Sequence, residues 1–228
     1  CDNITVLRAG RTVGSIPVAN ATEEDISRFM VGRDVILKMN KKPAEFGDTL
    51  LKVTDLTYEN KEGRKLLDHV SFSLKKGQIL GIAGVEGNGQ NELAEAIFGF
   101  YSGVKGSILF DGKEILGKSI RAIRDDGISY IPEDRIKTGA AGNISLWGNM
   151  IADIIDSPLL KKHGLLNYKN IHERADKLIS DFGVLCQNDD QPIGMLSGGN
   201  MQKVVVAREF SSDPKLLIAN QPTRGIDV

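Results

Sequence analysis

Apolar positions along the chain fall into short runs of period two and longer stripes of period 3.6. Residues Ile4 to Ile16 read as two short apolar strands around Ala9-Gly10-Arg11, a hairpin. Thr22 precedes Glu23-Glu24-Asp25, with Ile26, Phe29 and Met30 at helical spacing, so a capped helix is predicted there. Met39 to Asp48 is polar and carries Lys, Pro and Gly, the composition of a linker. A larger unit opens near Leu50. Leu51, Val53 and Leu56 predict one strand, Val70 to Leu74 a second, and Ser107 to Phe110 and Gly127 to Ile131 two more. Gln78 to Ala83, expected as a buried strand, runs into a glycine-rich loop and a helix over roughly Gly89 to Phe98. From Asn143 to Leu185 the pattern turns helical, and Ile171, Ala175, Leu178, Ile179 and Phe182 form one core-facing stripe. Gly198 to Phe210 is a further helix and Leu216 to Ala219 a final buried strand. Strands alternating with helices argue for an α/β sheet with an inserted helical region.

Composition narrows the class without changing that picture. The chain has 228 residues, 41% apolar and 26% charged, as a soluble domain with an attached piece would have. A formal net charge of −1 supplies no field for nucleic acid, so no nucleic-acid partner is expected. The two cysteines, Cys1 and Cys186, fit neither a disulfide framework nor a zinc pattern, and no metal ligand set is predicted. No apolar run reaches the roughly 18–20 residues that cross a bilayer; the best, Met150 to Leu160, is broken by Asp153, Asp156 and Pro158. Any tie to a membrane therefore runs through a partner protein. Cys1 in the first position, and an end just after Gly-Ile-Asp, read as the edges of a piece of something longer.

Candidate chemistry begins at Gly84-Val85-Glu86-Gly87-Asn88-Gly89-Gln90-Asn91. The phosphate loop G-x-x-x-x-G-K-[ST] needs a strand before it and a helix after it. Its glycines let successive N–H groups curl round a phosphate, and the helix aims its positive end at the same point. Gly84, Gly87 and Gly89 are in place, but Gln90 stands where lysine belongs and Asn91 where the hydroxyl belongs. Gln90 donates a hydrogen bond without charge. Charge-assisted bonds are worth roughly 1.5–3 kcal/mol against about 1 for neutral ones, so phosphate affinity is expected to fall without vanishing.

Leu196-Ser197-Gly198-Gly199-Asn200-Met201-Gln202-Lys203 closely resembles the L-S-G-G-Q signature of ABC-transporter ATP-binding domains. The L-S-G-G-N-x-Q-K form is similar to the simple-sugar and nucleoside importer subfamily. In that family the Ser and Gly positions, here Ser197, Gly198 and Gly199, meet the terminal phosphate of ATP held on the opposite domain. A Ser-capped helix start suits the task, because its dipole and orphan N–H groups favour an anion.

The resemblance extends to Leu216-Leu217-Ile218-Ala219-Asn220-Gln221-Pro222-Thr223-Arg224-Gly225-Ile226-Asp227, which resembles a Walker B strand and D-loop. The family pattern places two acids where Asn220 and Gln221 stand. A neutral amide is a poor Mg²⁺ anchor and no general base, and losing one such group costs about 10²–10⁴ in rate. Lysine, hydroxyl and both acids are all replaced, which fits natural degeneracy better than a single trapping substitution. Glu133, within Tyr130-Ile131-Pro132-Glu133-Asp134-Arg135, takes the place of the Q-loop glutamine. Tyr58 is either the aromatic that stacks on adenine or a half-buried strand tyrosine.

The fold this implies is the P-loop NTPase ABC nucleotide-binding domain: a RecA-like core, an antiparallel β part and an inserted helical subdomain. Residues 1–33 resemble the tail of a preceding nucleotide-binding domain, 34–49 a linker, and 50–228 a second domain stopping after the D-loop. The resemblance implies an ABC-type transport ATPase in which this half binds nucleotide through Gly84, Gly87, Asn88, Gly89, Gln90, Asn91, Tyr58 and Glu133. It offers Leu196, Ser197, Gly198, Gly199, Asn200 and Gln202 in trans, with Asp227 in the D-loop. ATP is the expected cofactor, with Mg²⁺ held at the competent site of the other half. The expected partners are that first domain, transmembrane permease subunits docked on roughly Gly142 to Leu185, and indirectly a solute-binding protein. The expected place is peripheral, on the cytoplasmic face of the inner membrane. A regulatory nucleotide-binding module, or a soluble ribosome-associated ABC protein, are the alternatives.

Overall fold

The computed structural model describes residues 1–32, 43–162 and 164–226. Arg33, most of the 34–49 linker and Asp227 lie outside the described residues. The chain divides into two compact units, one formed by the residues up to Ala44 and the other by Glu45–Ile226.

In the first unit, β1 (Asn3–Arg8) and β2 (Arg11–Pro17) pair antiparallel, with Ile4 opposite Ile16. Ala9 and Gly10 turn the chain with φ of 50° and 74°, the left-handed pair a tight hairpin needs. Helix α1 (Glu23–Val31) is capped by Thr22, whose Oγ1 accepts from the Asp25 N–H at 3.1 Å and donates to the Asp25 carboxylate at 2.7 Å. Gly32, at φ 82°, ends it.

The second unit has an antiparallel sheet of order β4-β3-β5-β6, built from β3 (Thr49–Glu59), β4 (Lys65–Lys75), β5 (Lys105–Phe110) and β6 (Lys113–Glu114). Helices α2 (Gln90–Ile97) and α3 (Ile120–Asp125) accompany it. Strand β7 (Ile128–Ile131) pairs in parallel with β10 (Leu216–Ala219). Leu51, Val53, Leu56, Leu93, Ile97, Phe98, Ile108, Ile123 and Ile128 fuse these elements into one core. Between β7 and β10 come a single π-helical turn (Arg135–Gly139), α4 (Leu146–Met150), a two-residue ribbon of β8 (Lys161–Lys162) and β9 (Leu165–Leu166), α5 (Tyr168–Asp181) and α6 (Gly198–Ser211). Leu146, Met150, Ala175, Leu178, Val204 and Ala207 bind α4, α5 and α6 into a second core. The predicted stripe of α5 faces that way: Ala175 and Leu178 are buried, with Ile179 and Phe182 packed beside them.

One expected strand does not form. Gln78 to Ala83 forms no strand and joins no sheet, and Ile79 is 78% exposed. An apolar run becomes a buried strand only where another strand offers it a ladder. Among the described residues none does so here.

Among the described residues the deepest charged group is Glu209 on α6, with 0% exposure. Its carboxylate accepts two bonds of 3.0 Å from the Arg124 guanidinium on α3, one of 2.8 Å from Arg208 Nε and one of 3.2 Å from the Tyr130 backbone N–H on β7. Arg208 also donates to the Gly139 carbonyl at 2.9 Å. Helix α6 is thereby fastened to α3, to β7 and to the π-helical turn.

Asp153 is the opposite case. Both its carboxylate oxygens are buried without a hydrogen-bond partner. Burial, and then the charge of Glu209, raise its pKa. A carboxyl with a raised folded pKa costs stability as pH climbs from the ordinary carboxylate range through the folded value, and costs nothing once both states are protonated. Asp153→Asn is therefore expected to raise stability by about 1 kcal/mol at pH 7–8. That gain should disappear near pH 3 in urea-unfolding curves; an equal gain at both pH values would exclude the charge as its cause.

Candidate functional site

The loop between Ala83 and α2 curls through positive φ at Gly87 (84°) and Gly89 (100°). A Cβ on Gly89 would lie 2.8 Å from the Leu66 carbonyl, so only glycine allows the turn into α2 at this depth. Gln90, the first residue of α2, folds its side chain back over the loop. Its Nε2 donates to the Val85 carbonyl at 3.2 Å and would collide with a Cβ on Gly84. The neutral amide thus satisfies the loop's own backbone.

The next residue faces β10. Asn220 Nδ2 donates to Asn91 Oδ1 at 2.8 Å, joining the glycine-rich loop and α2 to the strand end by an amide–amide bond. The Asn220 N–H is in turn held by the Ile131 carbonyl at 2.9 Å. Gln221 follows at φ 48°, a left-handed conformation that costs a non-glycine residue about 1 kcal/mol. Glu133, just past β7, accepts a 2.7 Å bond from Arg224. These residues line one open cleft of about 690 Å³ together with Gly84, Glu86, Gly87, Gln90 and Glu92. Its lining carries three carboxylates, Glu86, Glu92 and Glu133, and a single cation, Arg224.

The signature segment lies elsewhere. Ser197 is exposed and caps α6, with Asn200 Nδ2 donating to its Oγ at 3.0 Å. Asn200 Oδ1 accepts from the Leu185 N–H at 2.9 Å. Gln202 is 1% exposed and donates to the Pro222 carbonyl at 3.1 Å, tying α6 to the turn after β10. Leu196 packs against the helical core. Gly199 has a local reason to be glycine: a Cβ there would lie 2.6 Å from the Gly225 carbonyl, whereas one on Gly198 would meet only the movable end of the Arg135 side chain. Arg135 also donates to the Arg224 carbonyl at 2.8 Å.

The structure thus brings Gly84, Gly87, Gln90, Asn91, Glu133, Asn220 and Gln221 together, with Asn88 and Gly89 at the rim beside Arg64 and Leu66. Residues 196–202 do not line the cleft. Tyr58 does not line it either; its ring stacks on Tyr101, centroids 4.4 Å apart at 16°. Arg224 and Arg135 were not singled out by the sequence. Their one available signal was charge beside a motif, in Pro222-Thr223-Arg224-Gly225 and Pro132-Glu133-Asp134-Arg135.

Residues 67–224 match the family model described as ABC transporter. The chain belongs to that family. It is 37% identical over 229 residues to the glucose import ATP-binding protein TsgD13 of Haloferax volcanii, covering 100% of this chain and 42% of that protein. It is 36% identical to the guanosine import ATP-binding protein NupO of Bacillus subtilis, and 38% identical to the ribose import ATP-binding protein RbsA of Clostridium tetani. Both matches cover all of this chain, and 45% and 44% of those proteins. This member of the family therefore spans less than half the length of these relatives. The crystal structure of a nucleotide-free ATP-binding cassette from an ABC transporter superposes with a TM-score of 0.62 at 26% identity, over 78% of this chain and 71% of that one. The fold is that of an ABC ATPase cassette. Among the described residues no helix is long and apolar enough to cross a membrane.

Proposed function

We propose that the chain is the second nucleotide-binding half of an ATPase that powers import of a simple sugar or nucleoside. The carrying observation is a separation: the cleft carries uncharged amides at Gln90, Asn91 and Asn220, while Ser197 stands exposed at a helix start outside it. An exposed, Ser-capped helix start with glycines behind it suits a phosphate brought by another domain. The cleft suits hydrolysis poorly. Asn220 donates to Asn91 and no carboxylate stands at the Asn220 or Gln221 position, so the end of β10 offers Mg²⁺ no acid. In this reading the cleft binds ATP weakly at most, while Ser197, Gly198 and Gly199 complete the Mg²⁺-loaded site of the first half, and Asp227 belongs to the D-loop segment of the sequence.

The relatives named for glucose, guanosine and ribose import support the substrate class. Permease subunits dock on the helical region, roughly Gly142 to Leu185, and a solute-binding protein acts through them. The assembly is peripheral to the cytoplasmic face of the membrane. The test is direct. With saturating Mg-ATP the 228-residue chain should turn over at below about 0.1 per second, where a median enzyme reaches roughly 10. Faster phosphate release, lost on Gln221→Ala, would overturn the reading of a hydrolytically silent half.

A further inference from the structure

We infer that His172, Asp189 and Asp190 form a binding site for a zinc-class divalent cation in the helical part of the chain. One nitrogen of His172 and one carboxylate oxygen from each aspartate lie within 4.8 Å of one another. Tetrahedral bonds of about 2.0–2.2 Å place ligand atoms roughly 3.4 Å apart, so closing on an ion takes side-chain movements of about 1 Å. None of the three lines the phosphate cleft.

Charge points the same way. Two carboxylates converge here, and neither has a lysine or arginine within 4.0 Å among the described residues. Their side-chain partners are the His172 imidazole, at 2.5 Å from Asp189, and the Trp147 indole N–H, at 3.0 Å from Asp190. A divalent ion would neutralise both acids. One imidazole with two carboxylates is a mixed nitrogen and oxygen set, which suits zinc and is foreign to the all-oxygen preference of magnesium and calcium.

The frame is set in advance. Trp147 donates its backbone N–H to the Asp189 carbonyl at 3.2 Å, and Leu146 donates to the Gln191 carbonyl at 3.1 Å. The indole ring packs edge-on against His172, centroids 5.8 Å apart. The Asp189 side chain is 11% exposed, whereas Asp190 is open to solvent and gives an ion its way in. A bound ion would clip α5 to the segment that leads into α6.

Trp147 is the only tryptophan in the chain and touches two of the three ligands, so its emission reports on the site. The experiment titrates Zn²⁺ into the chain carrying Cys1→Ser and Cys186→Ser, following calorimetry and Trp147 fluorescence together. One equivalent should bind with a change in emission, and Mg²⁺ should give none. His172→Gln, and separately the exposed Asp190→Asn, should each raise the half-saturating Zn²⁺ concentration at least about tenfold. Unchanged titrations in both variants, zinc uptake that leaves Trp147 emission untouched, or an equal response to Mg²⁺ would each overturn the site.

Discussion

Glu209→Ala lowers the unfolding free energy by about 3–5 kcal/mol, the cost of stripping a buried ion network of its central partner. The side chain is fully buried and accepts four hydrogen bonds, from Arg124, Arg208 and the backbone of Tyr130. Its removal takes the carboxylate from two guanidiniums, at 21% and 10% side-chain exposure, and from a backbone N–H, leaving Arg208 only its bond to the Gly139 carbonyl. Arg124 keeps its seat 5.1 Å above the Phe98 ring, which offsets little of the loss. Glu209→Gln retains the shape and two hydrogen-bonding atoms, so it should lose clearly less than alanine. Thermal melts read the difference: at this chain length 1 kcal/mol moves the midpoint by roughly 2–4 °C, giving a drop of about 10 °C for alanine. A fall under about 2 °C would mean that the arginines find other partners, and that the network is not what holds α6 to α3.

In the two-domain polypeptide proposed above, Ser197→Arg is expected to lower ATP turnover by at least about 10²-fold, the typical cost of losing one positioned group at a reacting phosphate. The effect is sharpened here because a guanidinium would fill the space in front of α6. Ser197 is exposed, so an arginine there displaces nothing buried, and the lost helix cap costs about 1 kcal/mol, a fall of only roughly 2–4 °C in the melting midpoint. Steady-state phosphate release beside a thermal melt is the measurement. Full activity in a folded Ser197→Arg protein would end the view that this helix start works on a neighbour's nucleotide.

Much of this site could be read from local sequence. Gly87 and Gly89 announce a loop that needs left-handed backbone, and the structure gives both that conformation. Ser197 announces a helix start, and Thr22 another, because capping is decided within three residues. What escaped was set by distant neighbours. Nothing near Gln78 to Ala83 distinguishes an apolar run with a partner strand from one without. Glu209 looks like a surface acid beside Arg208 until the fold brings Arg124 against it from another helix. Gln90 is legible as an uncharged residue at the start of α2, yet its turning back onto the Val85 carbonyl depends on the curl of the loop. The pairings of Arg224 with Glu133 and of Asn91 with Asn220 join residues far apart in the chain, which single motifs do not reveal.

The tight seating of Gly199 against the Gly225 carbonyl has a practical outcome for genetics. A random library scored only for function would return this position as intolerant, whatever its dealings with nucleotide, since an added methyl would first meet the backbone of its own domain. Such a scan overstates how much of the motif is reserved for chemistry, and only the exposed serine two residues earlier separates the two demands.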